Sequence, residues 1–223
     1  CDSAGQRCAA TGVRLVQDAV ADRMGERLVG AVQALDIGDP FDYATDIGPV
    51  IDQAAQDRLE AHKARMHREA RRVLVDLPVP ASCRAGTYVG PAVYEIERIS
   101  QLEREVFGPI LHVVRFSQGH LAKVVEAINA TGFGLTLGVH SRIVAVADYV
   151  AEYAHVGNLY VNRNQIGAVV GVQPFGGDGL SGTGPKAGGP NYLARFATER
   201  VRTTDVTATG GNVQLLGLGG TAG

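Results

Sequence analysis

The residue with the clearest capacity for covalent chemistry is Cys8, which ends the run Ser3-Ala4-Gly5-Gln6-Arg7-Cys8 just ahead of the strand-like Val13-Arg14-Leu15-Val16. A sulfur on a small-residue loop that feeds a strand and then a helix can serve as a nucleophile. Backbone N–H groups at such a turn stabilise a thiolate and can also donate to an oxyanion. Against this stands the common fate of a free cysteine, which is inert packing. A second run, Glu105-Val106-Phe107-Gly108-Pro109, carries a carboxylate and an aromatic ring on a turn that leads into the strand Ile110 to Phe116. Alone, it reads as a surface acid followed by a hydrophobic turn.

Other groups carry less chemistry. The histidines His62, His67, His112, His120, His140 and His155 lack the short paired spacing of a zinc site, so no metal is expected. The segment Gly217-Leu218-Gly219-Gly220-Thr221-Ala222 has the letters of a dinucleotide fingerprint, but no helix can follow it at the end of the chain. With 223 residues, 45% hydrophobic and 20% charged, the chain can bury a substantial core. Its net charge of -2 offers no field for a phosphate backbone, which excludes nucleic acid as a partner of this segment. Three cysteines without metal-ligand spacing fit a reducing, cytoplasmic setting, and no apolar run reaches the length of a bilayer span. The chain begins on Cys1 rather than Met, in what reads as a loop, and is read as an excised or processed piece.

The elements that must position Cys8 and Glu105 follow from periodicity. After the strand at Val13, Asp18 reads as an N-cap, and Val20, Met24, Leu28 and Val32 mark one helix face. A loop with breaks at Gly38-Asp39-Pro40 and Gly48-Pro49 leads to a helix from Ile51 to Ala70, whose charges read as a solvated face. Val73 to Val75, Tyr88-Val89 and Leu111 to Phe116 read as strands, and Leu121 to Asn129 as a helix. Leu135 to His140, Ile143 to Ala154 and Asn158 to Asn162 then continue as strand, helix and strand. This alternation predicts an α/β fold with a mostly parallel sheet flanked by helices. From Gly167 onward glycines imply an irregular loop, and Val201 to Val206 alternates as an edge strand.

Together, Gly5-Gln6-Arg7-Cys8 and Glu105-Val106-Phe107-Gly108-Pro109 resemble the signature pair of the aldehyde dehydrogenase superfamily. The stretches Asn158 to Asn164, Gly167 to Gly177 and Gly182 to Pro190 are similar to the glutamate-semialdehyde dehydrogenase module of bacterial proline utilization A proteins. The resemblance covers nearly the whole chain. It implies an aldehyde dehydrogenase-like catalytic domain over residues 1–200 and a C-terminal oligomerisation strand and tail over 201–223. It also implies NAD-dependent oxidation of glutamate semialdehyde to glutamate in proline catabolism, by a homo-oligomer whose parent protein associates peripherally with the membrane. FAD would belong only to a proline dehydrogenase module absent from this chain.

Residue by residue, Cys8 matches the nucleophile, whose own N–H helps hold the oxyanion, and Glu105 matches the carboxylate that grips the nicotinamide ribose. Phe107 matches the ring beside the nicotinamide. Gly167 and Ala168 fall where the family receives the substrate carboxylate through backbone N–H groups, and Phe175 would wall its aliphatic chain. Ala9 stands at another substrate position, where members of the family often carry a serine. The family's general base, oxyanion amide and adenine-binding domain lie before the nucleophile, so the chain by itself is expected neither to bind NAD tightly nor to turn over aldehyde. Two other readings are open: a non-catalytic assembly module that adds a strand to a neighbour's sheet, and a cysteine hydrolase, which requires a histidine beside Cys8.

Overall fold

The computed structural model describes residues 2–167, 169 and 171–205. After a 3-10 turn at Asp2–Gly5 come β1 (Val13–Gln17), α1 (Asp18–Gln33), α2 (Gln53–Glu69), β2 (Arg72–Asp76), β3 (Ala92–Ile96) and β4 (Ile110–Phe116). There follow α3 (Leu121–Asn129), β5 (Phe133–Gly134), β6 (Thr136–Val139), α4 (Val144–Tyr153), β7 (Asn158–Val161) and β8 (Asp178–Gly179). The main sheet has the order β1-β4-β3-β2; β4 runs parallel to both β1 and β3, and only β2 is antiparallel. Strands β6 and β7 pair in parallel, and β5 and β8 form a short antiparallel ladder.

Alternation along β3 and β4 divides the core in two. Ala92, Tyr94, Ile96, Ile110 and Val114 face α2 and pack with Ala55, Leu59 and Met66. Val93 and Val113 face α1 and pack with Val16, Ala21 and Val32. Every residue of β3 is buried, which marks it as the covered centre of the sheet.

Several expectations need correction. The strand expected at Tyr88-Val89 is absent; Gly90 instead backs onto the Leu77 carbonyl, where any Cβ would overlap, and pairing starts only after Pro91. The N-cap of α1 is Gln17, with Asp18 as its first helical residue and Val20 left 46% exposed beside the buried Ala21. Asp52 does cap α2, its carboxylate accepting the Ala55 N–H at 2.7 Å. The polar side of α2 is not simply solvated. Lys63 is buried and pairs with Asp76 at 2.7 Å while donating to the Gly90 carbonyl. Residues 201–205 form no strand, and the rest of the expected C-terminal strand lies outside the described residues.

Candidate active site

Because β1 and β4 are parallel neighbours in the register Val13↔His112, the loops that precede them emerge at one edge of the sheet. One of these loops carries Cys8 and the other carries Glu105 and Phe107. Their contact is direct. A Cβ on Gly5 would overlap the carbonyl oxygen of Gly108 and lie 2.7 Å from its carbonyl carbon, so only glycine lets the two backbones meet. Gly108 is in turn seated on Leu59 of α2, whose methyls would come within 2.5 Å of any Cβ there.

The nucleophile loop is wound tightly. Ser3, Ala4 and Gly5 take left-handed φ values of 55°, 51° and 70° in succession, and each of the two non-glycine residues costs on the order of 1–2 kcal/mol in that state. Burial of Ala4 and the side chain of Gln6 oppose this strain. Gln6 accepts from the Ile51 N–H at 2.8 Å and donates to the carbonyls of Ser3 at 3.1 Å and Pro49 at 3.4 Å. The Ala10 N–H donates to Arg7 at 2.9 Å, closing a turn whose first corner is Cys8, and the cysteine is exposed. Ala9 occupies the second corner of the same turn and is half-buried.

Opposite, Val106, Gly108 and Pro109 are turned toward the core, whereas Glu105 and Phe107 face outward, Phe107 with 45% exposure. Glu105 keeps access to solvent, yet the protein on its inner side desolvates the carboxyl and raises its pKa above the usual carboxylate range.

The glycine-rich loop meets this edge at one hydrogen bond, from the Gln165 amide to Thr11 Oγ1 at 2.9 Å. Gly167 has a φ of 150° and its carbonyl accepts from the Tyr160 hydroxyl, while Arg163 stacks over the Tyr160 ring at 4.8 Å. Ala168 lies outside the described residues. Phe175 pairs with Ala187 through two backbone hydrogen bonds and is 40% exposed. Thus the fold brings the Cys8 loop and the Glu105–Pro109 turn into contact through Gly5 and Gly108, ties Gln165 to Thr11, and holds Phe175 within the glycine-rich loop itself.

Two features go beyond the sequence reading. Gln6 belongs to the cysteine motif, but its partners at Pro49 and Ile51 emerge only in the fold. The second feature is a histidine pair, half-buried His62 against buried His112. His112 donates Nδ1–H to the Gly12 carbonyl at 3.0 Å, so its Nε2 must accept, and His62 donates Nε2–H to it at 2.9 Å. Burial keeps both rings neutral at neutral pH. Burial pushes the pKa of His62 down to about 4, a proton on His112 would push it further and the Arg65 charge adds to it, and burial lowers that of His112 as well. Beside them burial pushes Asp76 up, but hydrogen bonds from Lys63 and His67, the Lys63 charge and the Tyr94 hydroxyl outweigh it and leave the carboxyl below its ordinary range. Among the described residues no histidine hydrogen-bonds Cys8, no cluster of three could hold a metal ion, and no helix is long and apolar enough to cross a membrane.

Comparison with known proteins agrees with this arrangement. A family model described as "Aldehyde dehydrogenase family" matches residues 1–201. The bifunctional protein PutA of Salmonella typhimurium is 51% identical over 203 residues, which cover 89% of this chain and 15% of that protein. The solved structure of a proline utilization A protein of Bradyrhizobium japonicum superposes with a TM-score of 0.86 at 57% identity, covering 93% of this chain and 21% of that one. An NAD-bound 1-pyrroline-5-carboxylate dehydrogenase from Thermus superposes with a TM-score of 0.76 at 32% identity, covering 86% of this chain and 37% of that one. The chain thus spans a minor part of the length of the curated relatives it matches. With a family match over residues 1–201 and both signature turns meeting at one sheet edge, the chain belongs to the aldehyde dehydrogenase family.

Proposed function

We propose that this chain is the nucleophile-bearing part of an NAD-dependent dehydrogenase that oxidises glutamate semialdehyde to glutamate in proline catabolism. The observation that supports the reading is the seat of Gly5 on Gly108, a backbone contact between the loop that carries the exposed Cys8 and the turn that carries Glu105 and the exposed Phe107. Similarity to proteins named PutA and 1-pyrroline-5-carboxylate dehydrogenase supports the substrate class.

The thiolate of Cys8 attacks the aldehyde carbon; the C–S bond forms as the carbonyl π pair moves to oxygen, where the backbone N–H of Cys8 donates to it. Glu105 and Phe107 would hold the nicotinamide end of NAD, the carboxylate as an acceptor for ribose hydroxyls and the exposed ring as a flat apolar face. Bound NAD supplies the acceptor for the hydride that leaves the tetrahedral carbon. Cys8 then carries the acyl group as a thioester, and water cleaves the C–S bond to give the carboxylate and restore the thiolate, with two protons released to solvent. By the family pattern, backbone N–H groups at the Gly167 and Ala168 positions would receive the α-carboxylate of the substrate, and Phe175 would wall its methylenes. Ala9 provides no hydroxyl for that carboxylate, which places more of the recognition on the glycine-rich loop. No residue here is assigned to FAD, which the reading confines to a separate proline dehydrogenase module. The setting is cytoplasmic.

The test is NADH formation from glutamate semialdehyde and from a simple aliphatic aldehyde by the full polypeptide that carries this segment. Activity on glutamate semialdehyde that Cys8→Ala abolishes supports the reading. Unchanged turnover by Cys8→Ala would end it.

A second reading, assembly with another copy through residues 201–223, draws on the neighbouring Leu193, Phe196 and Val201, which are 81%, 73% and 82% exposed. Sedimentation of the chain with and without residues 201–223 tests it: loss of a dimer on truncation supports an assembly strand, and unchanged size removes it.

A further inference from the structure

We infer that Gln6 is a positioning residue that sets the reactivity of Cys8 by bracing the nucleophile loop against the start of α2; this rests on the nucleophile reading above. The side chain reaches across 45 residues of sequence to accept the Ile51 N–H at 2.8 Å, and its amide nitrogen bridges the carbonyls of Ser3 and Pro49. The segment it grips is itself fixed. Val50 exchanges two hydrogen bonds with Thr87, backbone N–H to carbonyl at 2.8 Å and Thr87 hydroxyl to the Val50 carbonyl at 2.7 Å, and Asp52 caps α2.

One helix therefore registers both halves of the site. Its beginning holds the cysteine loop through Gln6, and its second turn seats the Glu105–Pro109 turn through Leu59 against Gly108. Gln6 lies two residues from the sulfur and immediately follows the three left-handed residues Ser3, Ala4 and Gly5. A left-handed run containing two non-glycine residues persists only where its surroundings over-determine it. Removing the brace frees the loop to relax into ordinary backbone space, and the turn that presents Cys8 and its N–H relaxes with it. Gln6 touches no reacting atom; it acts through the loop.

The experiment is alkylation of the 223-residue chain by iodoacetamide across a pH series, with modification of Cys8 followed by peptide mass mapping. Gln6→Met keeps the length of the side chain and loses all three hydrogen bonds, while Gln6→Glu retains the acceptor for Ile51. In Gln6→Met the Cys8 rate is expected to fall about tenfold at neutral pH and its pH profile to move toward that of the urea-unfolded chain. Gln6→Glu is expected to recover a substantial part of the rate. Thermal melting of each variant separates this effect from loss of fold, because a merely structural role would shift the melt without moving the pH profile of the folded protein. A Gln6→Met chain that alkylates with the wild-type rate and profile overturns the role of Gln6 alone. A wild-type Cys8 that reacts no faster folded than unfolded overturns the nucleophile assignment beneath it, whatever Gln6 does.

Discussion

The meeting of the two signature turns makes a sharp demand on Gly5. Replacing it with alanine puts a side chain on a backbone with φ of 70°, at a cost of about 1–2 kcal/mol. The new methyl would also overlap the Gly108 carbonyl, with the carbonyl carbon 2.7 Å away. Both partners are backbone, so neither can rotate aside, and separating them is an overpacking strain of about 1–3 kcal/mol. Together the two terms amount to about 2–5 kcal/mol, which for a chain of this length lowers the melting temperature by about 4–20 °C. Any surviving fold would have its loops parted by about 1 Å, a misplacement able to cost on the order of a hundredfold in rate. The assay is a thermal melt of Gly5→Ala beside Gly30→Ala, which lies in α1 with no heavy atom near its added methyl. The control is expected to gain about 1 kcal/mol from helix propensity. If Gly5→Ala melts with the wild type, the two turns do not touch and the argument for the site loses its base.

Other perturbations have equally definite signs. His62 and His112 are neutral in the fold but take up protons in the unfolded chain below about pH 6.5, so the stability of their pairing is full above that pH and is lost as pH falls toward about 4. Urea midpoints measured through that window should drop in the wild type and flatten in His62→Leu; a wild-type profile without the drop contradicts the neutral pair. Lys63→Met leaves the Asp76 carboxylate without its 2.7 Å partner and is expected to cost about 3 kcal/mol by urea unfolding, whereas no loss would mean that His67 alone suffices. Asp52→Ala removes the cap of α2 and should cost about 1 kcal/mol, read in the same experiment.

What the sequence made legible was the pattern that local periodicity and motif chemistry determine. The spacing of Met24, Leu28 and Val32 placed α1, the β-branched run at Ile110 to Phe116 placed β4, and the two signature motifs marked the turns that meet at Gly5 and Gly108. The errors arose where distant contacts override local preference. Tyr88 and Val89 have strand-forming side chains, but the approach of Gly90 to Leu77 fixes their backbone outside the ladder, and β3 begins only after Pro91. Lys63 has the composition of a solvated helix face, and only the fold brings Asp76 within reach of its ammonium. Gln6 belongs to the cysteine motif, but its bracing contacts could not be read there because its partners lie at Pro49 and Ile51 and meet it only when the chain closes.

The parallel pairing of β1 with β4 has a bearing on how such a chain can vary. Since ladder register and the seat on α2 bring the cysteine loop to the Glu105 turn, the long stretch of polypeptide joining them enters the geometry chiefly through α2 and β3. Surface insertions in the Pro78–Gly86 bend would leave the reacting groups in place. By contrast, a single residue added between Cys8 and Val13, or between Gly108 and Ile110, would shift one loop past the other by roughly one strand step of about 3.3 Å. Sequence drift should therefore accumulate in the connections and be purged from the few residues between each loop and its strand, so length there is inherited more strictly than composition.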